Sequence, residues 1–183
     1  MTIKDRIVEL HGESFLRKSA LNIRDGEGVF REFLEGAGYR TILEIGTYKG
    51  ISAACMAQYC EKVITIDLAH GKLETNGEDH DRHAFWESLG IDNIEFHAVA
   101  DDEEKAKLIA GLEFDLAFVD GAHDTEGVRR DFALVKHCGA VLFHDYDDSG
   151  PQLEKRNAVY RFVNKLPAHQ LRVLDIFALW TDS

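Results

Sequence analysis

The apolar run Phe114-Asp-Leu-Ala-Phe-Val119 leads straight into Asp120-Gly-Ala-His-Asp124, and Ala140-Val-Leu-Phe143 leads into His144-Asp-Tyr-Asp-Asp148. Each run has the length of a strand, and each is followed at once by acids and an imidazole. Strand neighbours lie about 4.8 Å apart, so Asp120 and Asp145 at adjacent strand ends can share one cation or one substrate group. As a purely structural pair they would face each other as like charges. The imidazoles of His123 and His144 fit general-base work and an ordinary rim position equally well.

A second set of residues has the spacing of a nucleoside site. Thr41-Ile-Leu-Glu-Ile-Gly-Thr-Tyr-Lys-Gly50 is an apolar strand followed by a glycine turn and the start of a helix. Glycines at such a turn let the backbone approach a ligand, although tight strand-to-helix turns use glycine anyway. The spacing lacks the central glycine of GxGxxG, which weakens a dinucleotide reading, and no GK[ST] follows, which excludes a P-loop. About twenty residues on, the run Val63-Ile-Thr-Ile66 ends in Asp67, placed either to accept hydrogen bonds from a ribose diol or to cap a helix. The turn and the acid together point to a nucleoside-containing ligand. A third run ends near Ala98-Val-Ala-Asp101. The acids Asp102, Glu103 and Glu104 read as a helix start, and Asp101 could still reach an adenine amino group.

These positions require a sheet to hold them. Apolar runs at Thr41–Ile45, Lys62–Ile66, Asn93–Ala98, Phe114–Val119 and Ala140–Phe143 alternate with helical patterns at about Ile51–Tyr59, Asp81–Ser88, Glu103–Ile109 and Glu126–Lys136. That alternation predicts βαβ units and a doubly wound α/β fold with a mainly parallel sheet. Two helices are expected first, over Ile3–Ser19 and Gly26–Glu35. Leu171–Trp180 reads as further strand, although no Asn-Gly or Asp-Gly marks a bend. Ligands of such sheets sit beyond the carboxyl ends of the strands, near the switch point.

Composition sets the outer limits. The 183 residues suit one domain, with N-terminal helices over 1–38 and a core over 40–180, and 45% hydrophobic residues can fill that core. Thirty-three acids against 21 Lys and Arg give a net charge of −12, which argues against nucleic-acid and anionic-membrane partners. Cys55, Cys60 and Cys138 follow no CxxC spacing, and the first twenty residues have no signal-peptide core, so a reduced, cytoplasmic protein is expected.

The motifs Glu44-Ile-Gly-Thr-Tyr-Lys-Gly-Ile-Ser52, Phe118-Val-Asp-Gly-Ala-His123 and Leu142-Phe-His-Asp-Tyr146 resemble those of class I S-adenosylmethionine-dependent methyltransferases. They are closest to the small O-methyltransferase-like branch, and the likeness covers roughly residues 40–180. The resemblance implies a Rossmann-like, seven-stranded sheet with the last strand antiparallel. It implies that Glu44, Gly46, Thr47, Tyr48 and Gly50 line the methionine and ribose side of the cofactor. Asp67 would bind the ribose hydroxyls, Leu68 would pack near the adenine, and Ala100 and Asp101 would flank it. Asp120 would lie beneath the methionine amino group or ligate a metal. In the metal-dependent branch a second acid after the fifth strand is followed by Asn or Asp. Asp145 matches that acid, but Tyr146 follows it, so His123, His144 or Asp147 would have to stand in. An imidazole ligand suits Mn, Fe, Ni or Zn better than Mg.

The expected activity is methyl transfer from S-adenosyl-L-methionine to a small-molecule acceptor, most readily a hydroxyl oxygen. A divalent metal on Asp120 and Asp145 could lower the hydroxyl pKa; alternatively His144 or His123 could act as general base. Rival readings are a metal-dependent hydrolase or oxygenase using the DGAHD and HDYDD residues, and a non-catalytic cofactor-binding protein. The polar segment from Ala69 to Arg82 is expected as a loop at the site mouth. A substrate cover would come from the N-terminal helices or from a second subunit in a homo-oligomer.

Overall fold

The computed structural model describes residues 1–16, 26–69, 80–146 and 157–182. Strands β1 (Thr41–Ile45), β2 (Lys62–Leu68), β3 (Ile94–Val99), β4 (Leu116–Val119), β5 (Ala140–Phe143), β6 (Leu171–Leu174) and β7 (Phe177–Thr181) form one sheet. Their order is β3-β2-β1-β4-β5-β7-β6. β1 to β5 are parallel, and β7 runs antiparallel to both β5 and β6. Six strands therefore share one direction and the last opposes them. The order reverses between β1 and β4, which is the switch point of a doubly wound sheet.

Both faces of the parallel strands are covered, which is why they read as continuous apolar runs. One face, with Ile42, Leu116, Phe118 and Leu142, packs against α1 (Ile3–His11), α2 (Gly26–Leu34), α3 (Ile51–Met56) and α4 (Arg82–Ser88). The other, with Leu43, Ile45, Ile66 and Phe143, packs against α5 (Asp102–Ile109), α6 (Thr125–Val135) and α7 (Asn157–Val163). Alternation along β1 thus sends Ile42 and Glu44 to the first face, and Leu43 and Ile45 to the second.

Some boundaries differ from expectation for local reasons. α1 stops at His11 because Gly12, at φ 81°, turns the chain while its N–H still bonds the Val8 carbonyl. A 3₁₀ turn over Glu13–Leu16 follows, and the rest of the expected helix lies outside the described residues. β4 begins at Leu116 rather than Phe114, since the Asp115 carboxylate is turned aside to accept from the N–H groups of Arg40 and Thr41 at 2.8 and 2.9 Å. The β6–β7 bend falls at Asp175 and Ile176, where Asp175 takes φ 54°. Asp tolerates this left-handed conformation, so the hairpin forms without glycine. No helix among the described residues is long and apolar enough to cross a membrane.

Candidate active site

The turn after β1 is held from three sides. Gly46 has φ 102°, and a Cβ there would lie 2.6 Å from the Asp120 carbonyl oxygen, so the β1 and β4 ends meet at backbone distance. Gly50 has φ 75°, and its carbonyl accepts from Trp86 Nε1 at 2.9 Å. Between them Tyr48 sits at φ 46°, a left-handed conformation that is costly for a bulky residue. Its N–H donates to Asp67 Oδ2 at 2.8 Å, and its carbonyl accepts from Arg82 Nε at 2.6 Å. The Arg82 guanidinium also lies 3.6 Å from Asp67 and over the Phe96 ring. Asp67 and Arg82 thus lock the turn in place.

Glu44 and Thr47 stand behind the turn rather than in its opening. Glu44 is fully buried, and its carboxyl takes the hydroxyls of Ser52 and Thr65. Thr47 Oγ1 extends the chain to Thr65 Oγ1 at 2.7 Å. Burial pushes the Glu44 carboxyl up to about 8; the two hydroxyls oppose this, and the charges of Asp120 and Asp67 add to it. The network ties β1, β2 and α3 together beneath the glycine turn.

Asp67 and Leu68 end β2 on the open side. The Asp67 Oδ1 accepts from the Leu68 N–H at 2.9 Å. Leu68 is 42% exposed, a large apolar side chain left at a strand end. Beyond it, a cavity of about 170 Å³ is bounded by Gly46, Asp67, Leu68 and Gly121. Asp101 follows β3 and caps α5, with Oδ1 accepting from the N–H groups of Glu103 and Glu104, both at 2.9 Å. Ala100 is exposed beside it, and its N–H donates to Glu104 Oε2.

The β4 and β5 ends bring four expected residues together. His144 Nδ1 lies 2.9 Å from Asp120 Oδ1 and 3.5 Å from Asp145 Oδ1, and His123 Nδ1 lies 3.2 Å from Asp145 Oδ2. His144 is only 5% exposed and packs on Phe177 at 5.0 Å between ring centroids. Asp145 takes φ 59°, which aims its side chain back across the β5 end. One donor atom each from Asp120, His144 and Asp145 falls within 4.8 Å of the others, a set that could hold a metal ion. Asp147 and most of the expected Ala69–Arg82 loop lie outside the described residues.

A family model for a methyltransferase domain matches residues 43–146, which include every site residue described above. The chain belongs to the methyltransferase domain family. Its fold is that of the class I S-adenosylmethionine-dependent superfamily. A candidate O-methyltransferase from Klebsiella pneumoniae superposes with a TM-score of 0.69 at 15% identity, over 99% of this chain and 90% of that one. An O-methyltransferase from Bacillus cereus, solved with SAH, gives 0.67 at 14% identity, over 98% and 90%. The O-methyltransferase TomG of tomaymycin synthesis from Streptomyces achromogenes, solved with SAM, gives 0.57 at 21%, over 86% and 79%. No curated protein matches the sequence. Family membership leaves the hydrolase and oxygenase readings without support.

Sequence reasoning missed the residues that brace this methyltransferase site from a distance. Arg82 and Trp86 of α4 hold the glycine turn, and Lys105 and Asp131 back the cavity. An Arg and a Trp one helical turn apart were the only sequence signal, and that pattern is common on any packed helix.

Proposed function

We propose that the protein transfers the methyl group of S-adenosyl-L-methionine to a hydroxyl oxygen of a small-molecule acceptor. The observation that carries this reading is the cavity at the β1–β4 switch point, edged by Asp67 and lined by Gly46 and Gly121, with Asp120 of the Asp120–His144–Asp145 set directly before Gly121 in the chain. Solved neighbours that hold SAM or SAH support the cofactor. The fit is chemical as well as topological. Asp67 offers carboxylate oxygens at the cavity edge for a ribose diol, exposed Leu68 offers an apolar face to a purine, and Asp120 offers an anion to an ammonium.

The bound cofactor supplies an electrophilic methyl group on a sulfonium. The chain supplies position and proton handling, and good positioning alone is worth about 7–11 kcal/mol of barrier. Glu44, Thr47 and Arg82 keep the turn from relaxing. Asp120 and Asp145 hold the His144 ring by its Nδ1 while its Nε2 is buried, so the partly exposed imidazole of His123, held by Asp145, is the one that can take the acceptor's proton. The same three side chains would hold a divalent metal, which would polarise the acceptor hydroxyl. A donor set of two carboxylates and one imidazole suits Mn, Fe, Ni or Zn better than Mg.

Calorimetric titration with S-adenosylhomocysteine, with and without divalent metals, tests the reading. Saturable binding is expected, followed by methylation of hydroxylated acceptors by S-adenosylmethionine. No binding under either condition overturns the methyltransferase assignment, and binding without turnover of any acceptor leaves a cofactor-binding protein.

A further inference from the structure

The sheet ends in β3 on one side and in β6 on the other, and the two edges differ. β6 is four residues long, and its Arg172 is engaged by Glu32 of α2 at 2.6 Å and lies over the Phe33 ring. β3 is six residues long, Ile94-Glu-Phe-His-Ala-Val99, with neither a proline nor a break in register to blunt it. Its backbone direction is fixed by β2. The carbonyls of Asn93 and Val99 accept from the N–H groups of Val63 and Ala69 at 2.9 and 2.7 Å. Alternate residues of a parallel strand face the same neighbour, so Glu95 and His97 also turn their backbone to β2, and Ile94, Phe96 and Ala98 turn theirs outward. Those outward groups meet no partner among the described residues.

We propose that a second copy of this chain pairs with β3 as an antiparallel strand, about a two-fold axis at Phe96. Setting Phe96 opposite the copy's Phe96 places Ile94 opposite the copy's Ala98, and every outward N–H and C=O of these residues is used. A slide of two residues either way leaves one of them unpaired on each strand. The same register puts Glu95 across from the copy's His97 in a non-hydrogen-bonded pair, where side chains come closest. One slide would instead set two Glu95 side chains against each other, and the other slide two His97.

The side chains are arranged for this contact. Glu95 is 43% and His97 29% exposed on one face of the strand, and they bond each other at 2.7 Å. Lys62 Nζ lies 2.5 Å from the second Glu95 oxygen. Pairing of two copies closes a ring in which acid and imidazole alternate. An unrelated strand could match the backbone, but only a two-fold copy carries the reciprocal order of charges by symmetry. The contact also reaches toward the glycine turn. The Arg82 guanidinium lies 4.7 Å from the Phe96 ring centroid and 3.6 Å from Asp67, so the residue on the axis backs the arginine that braces the turn.

Sedimentation equilibrium from about 1 to 100 µM, with no ligand added, tests the pairing independently of any activity. The wild-type chain is expected to reach twice the chain mass at the upper end. Ala98→Pro removes an outward N–H and no bond to β2, so it should give a monomer whose circular dichroism is unchanged. Glu95→Lys should weaken association roughly tenfold, since the contact occurs twice about the axis, and Glu95→Lys combined with His97→Glu should restore it. A wild-type chain that stays monomeric at every concentration overturns the proposal, and so does one whose edge takes up an unrelated strand instead. A dimer that survives in both Ala98→Pro and Glu95→Lys uses another surface and also overturns it. If Ala98→Pro does not fold, the charge-reversed pair decides alone, and absence of either the loss or the recovery overturns the proposal.

Discussion

Glu44 has an acid's identity but, at neutral pH, not an acid's charge. Its burial raises the folded-state pKa to about 8, whereas an unfolded chain would ionise it near 4.5. Between those values the folded protein holds one more proton than the unfolded chain, so this group's contribution to stability falls as pH rises from about 4.5 to about 8. Glu44→Gln keeps the shape and hydrogen-bonding capacity without the charge. It should be more stable than wild type at pH 9, by an amount of order a few kcal/mol, and so unfold at a higher temperature there, but at nearly the same temperature at pH 5. Melting curves across that range check this, and a constant difference between the two proteins would rule it out. The motif resemblance put Glu44 beside the glycine turn, two residues before it. It did not reveal that the side chain faces Ser52 and Thr65, since the direction depends on the β1–β2 register that pairs Glu44 with Thr65.

At the scale of elements, the turn after β1 and the ends of β4 and β5 act as one unit. Gly46→Ala would push a Cβ to 2.6 Å from the Asp120 backbone oxygen and also strain φ 102°. Backbone cannot swing away as a side chain can, so the turn itself must shift. Stability should fall by about 2–4 kcal/mol, and S-adenosylhomocysteine binding should weaken with it. At Gly50 the obstruction is the Trp86 ring, also at 2.6 Å, so Gly50→Ala in a Trp86→Phe background should recover part of what Gly50→Ala loses alone. Chemical denaturation of wild type, the two single variants and the double variant measures that coupling, and strict additivity would exclude it. The acids at strand ends were legible because an apolar run stops immediately before Asp67 and Asp120 and one residue before Asp145. Arg82 and Trp86 were not, because they act on Asp67 and Gly50 through contacts between segments distant in sequence.

For the whole molecule, the metal question becomes a stability question. Asp120, His144 and Asp145 converge only when β4 and β5 are paired, so an ion that binds them stabilises the folded chain alone. At about one hundred times its Kd, such an ion adds ~2.7 kcal/mol, enough to raise the melting temperature by roughly 5–10 °C in a chain of this size. Manganese or zinc should produce that rise in the wild-type protein and not in His144→Ala, with magnesium weaker than either. No rise with any divalent ion would leave the imidazole of His123, held by Asp145, as the group that takes the proton. The mainly parallel sheet was readable from alternating strand and helix patterns. The insertion of β7 between β5 and β6 was not, because a hairpin's sequence does not say which of its strands will join the sheet.

The place of β1 in the strand order also bears on how the protein is made. β1 pairs with β2 on one side, but its other neighbour is β4, with Ile42 set against Leu116. During synthesis, the strand carrying the glycine turn must therefore wait, one edge unpaired and strongly apolar, until β4 has emerged. Such long-range pairing slows folding and exposes an aggregation-prone edge in the interval. The Gly46 backbone gains its contact with Asp120 only at that late step. A chain interrupted before β4 would lack more than the acids at the far end of the site. It would keep the glycine turn on a strand poised to pair with a copy of itself.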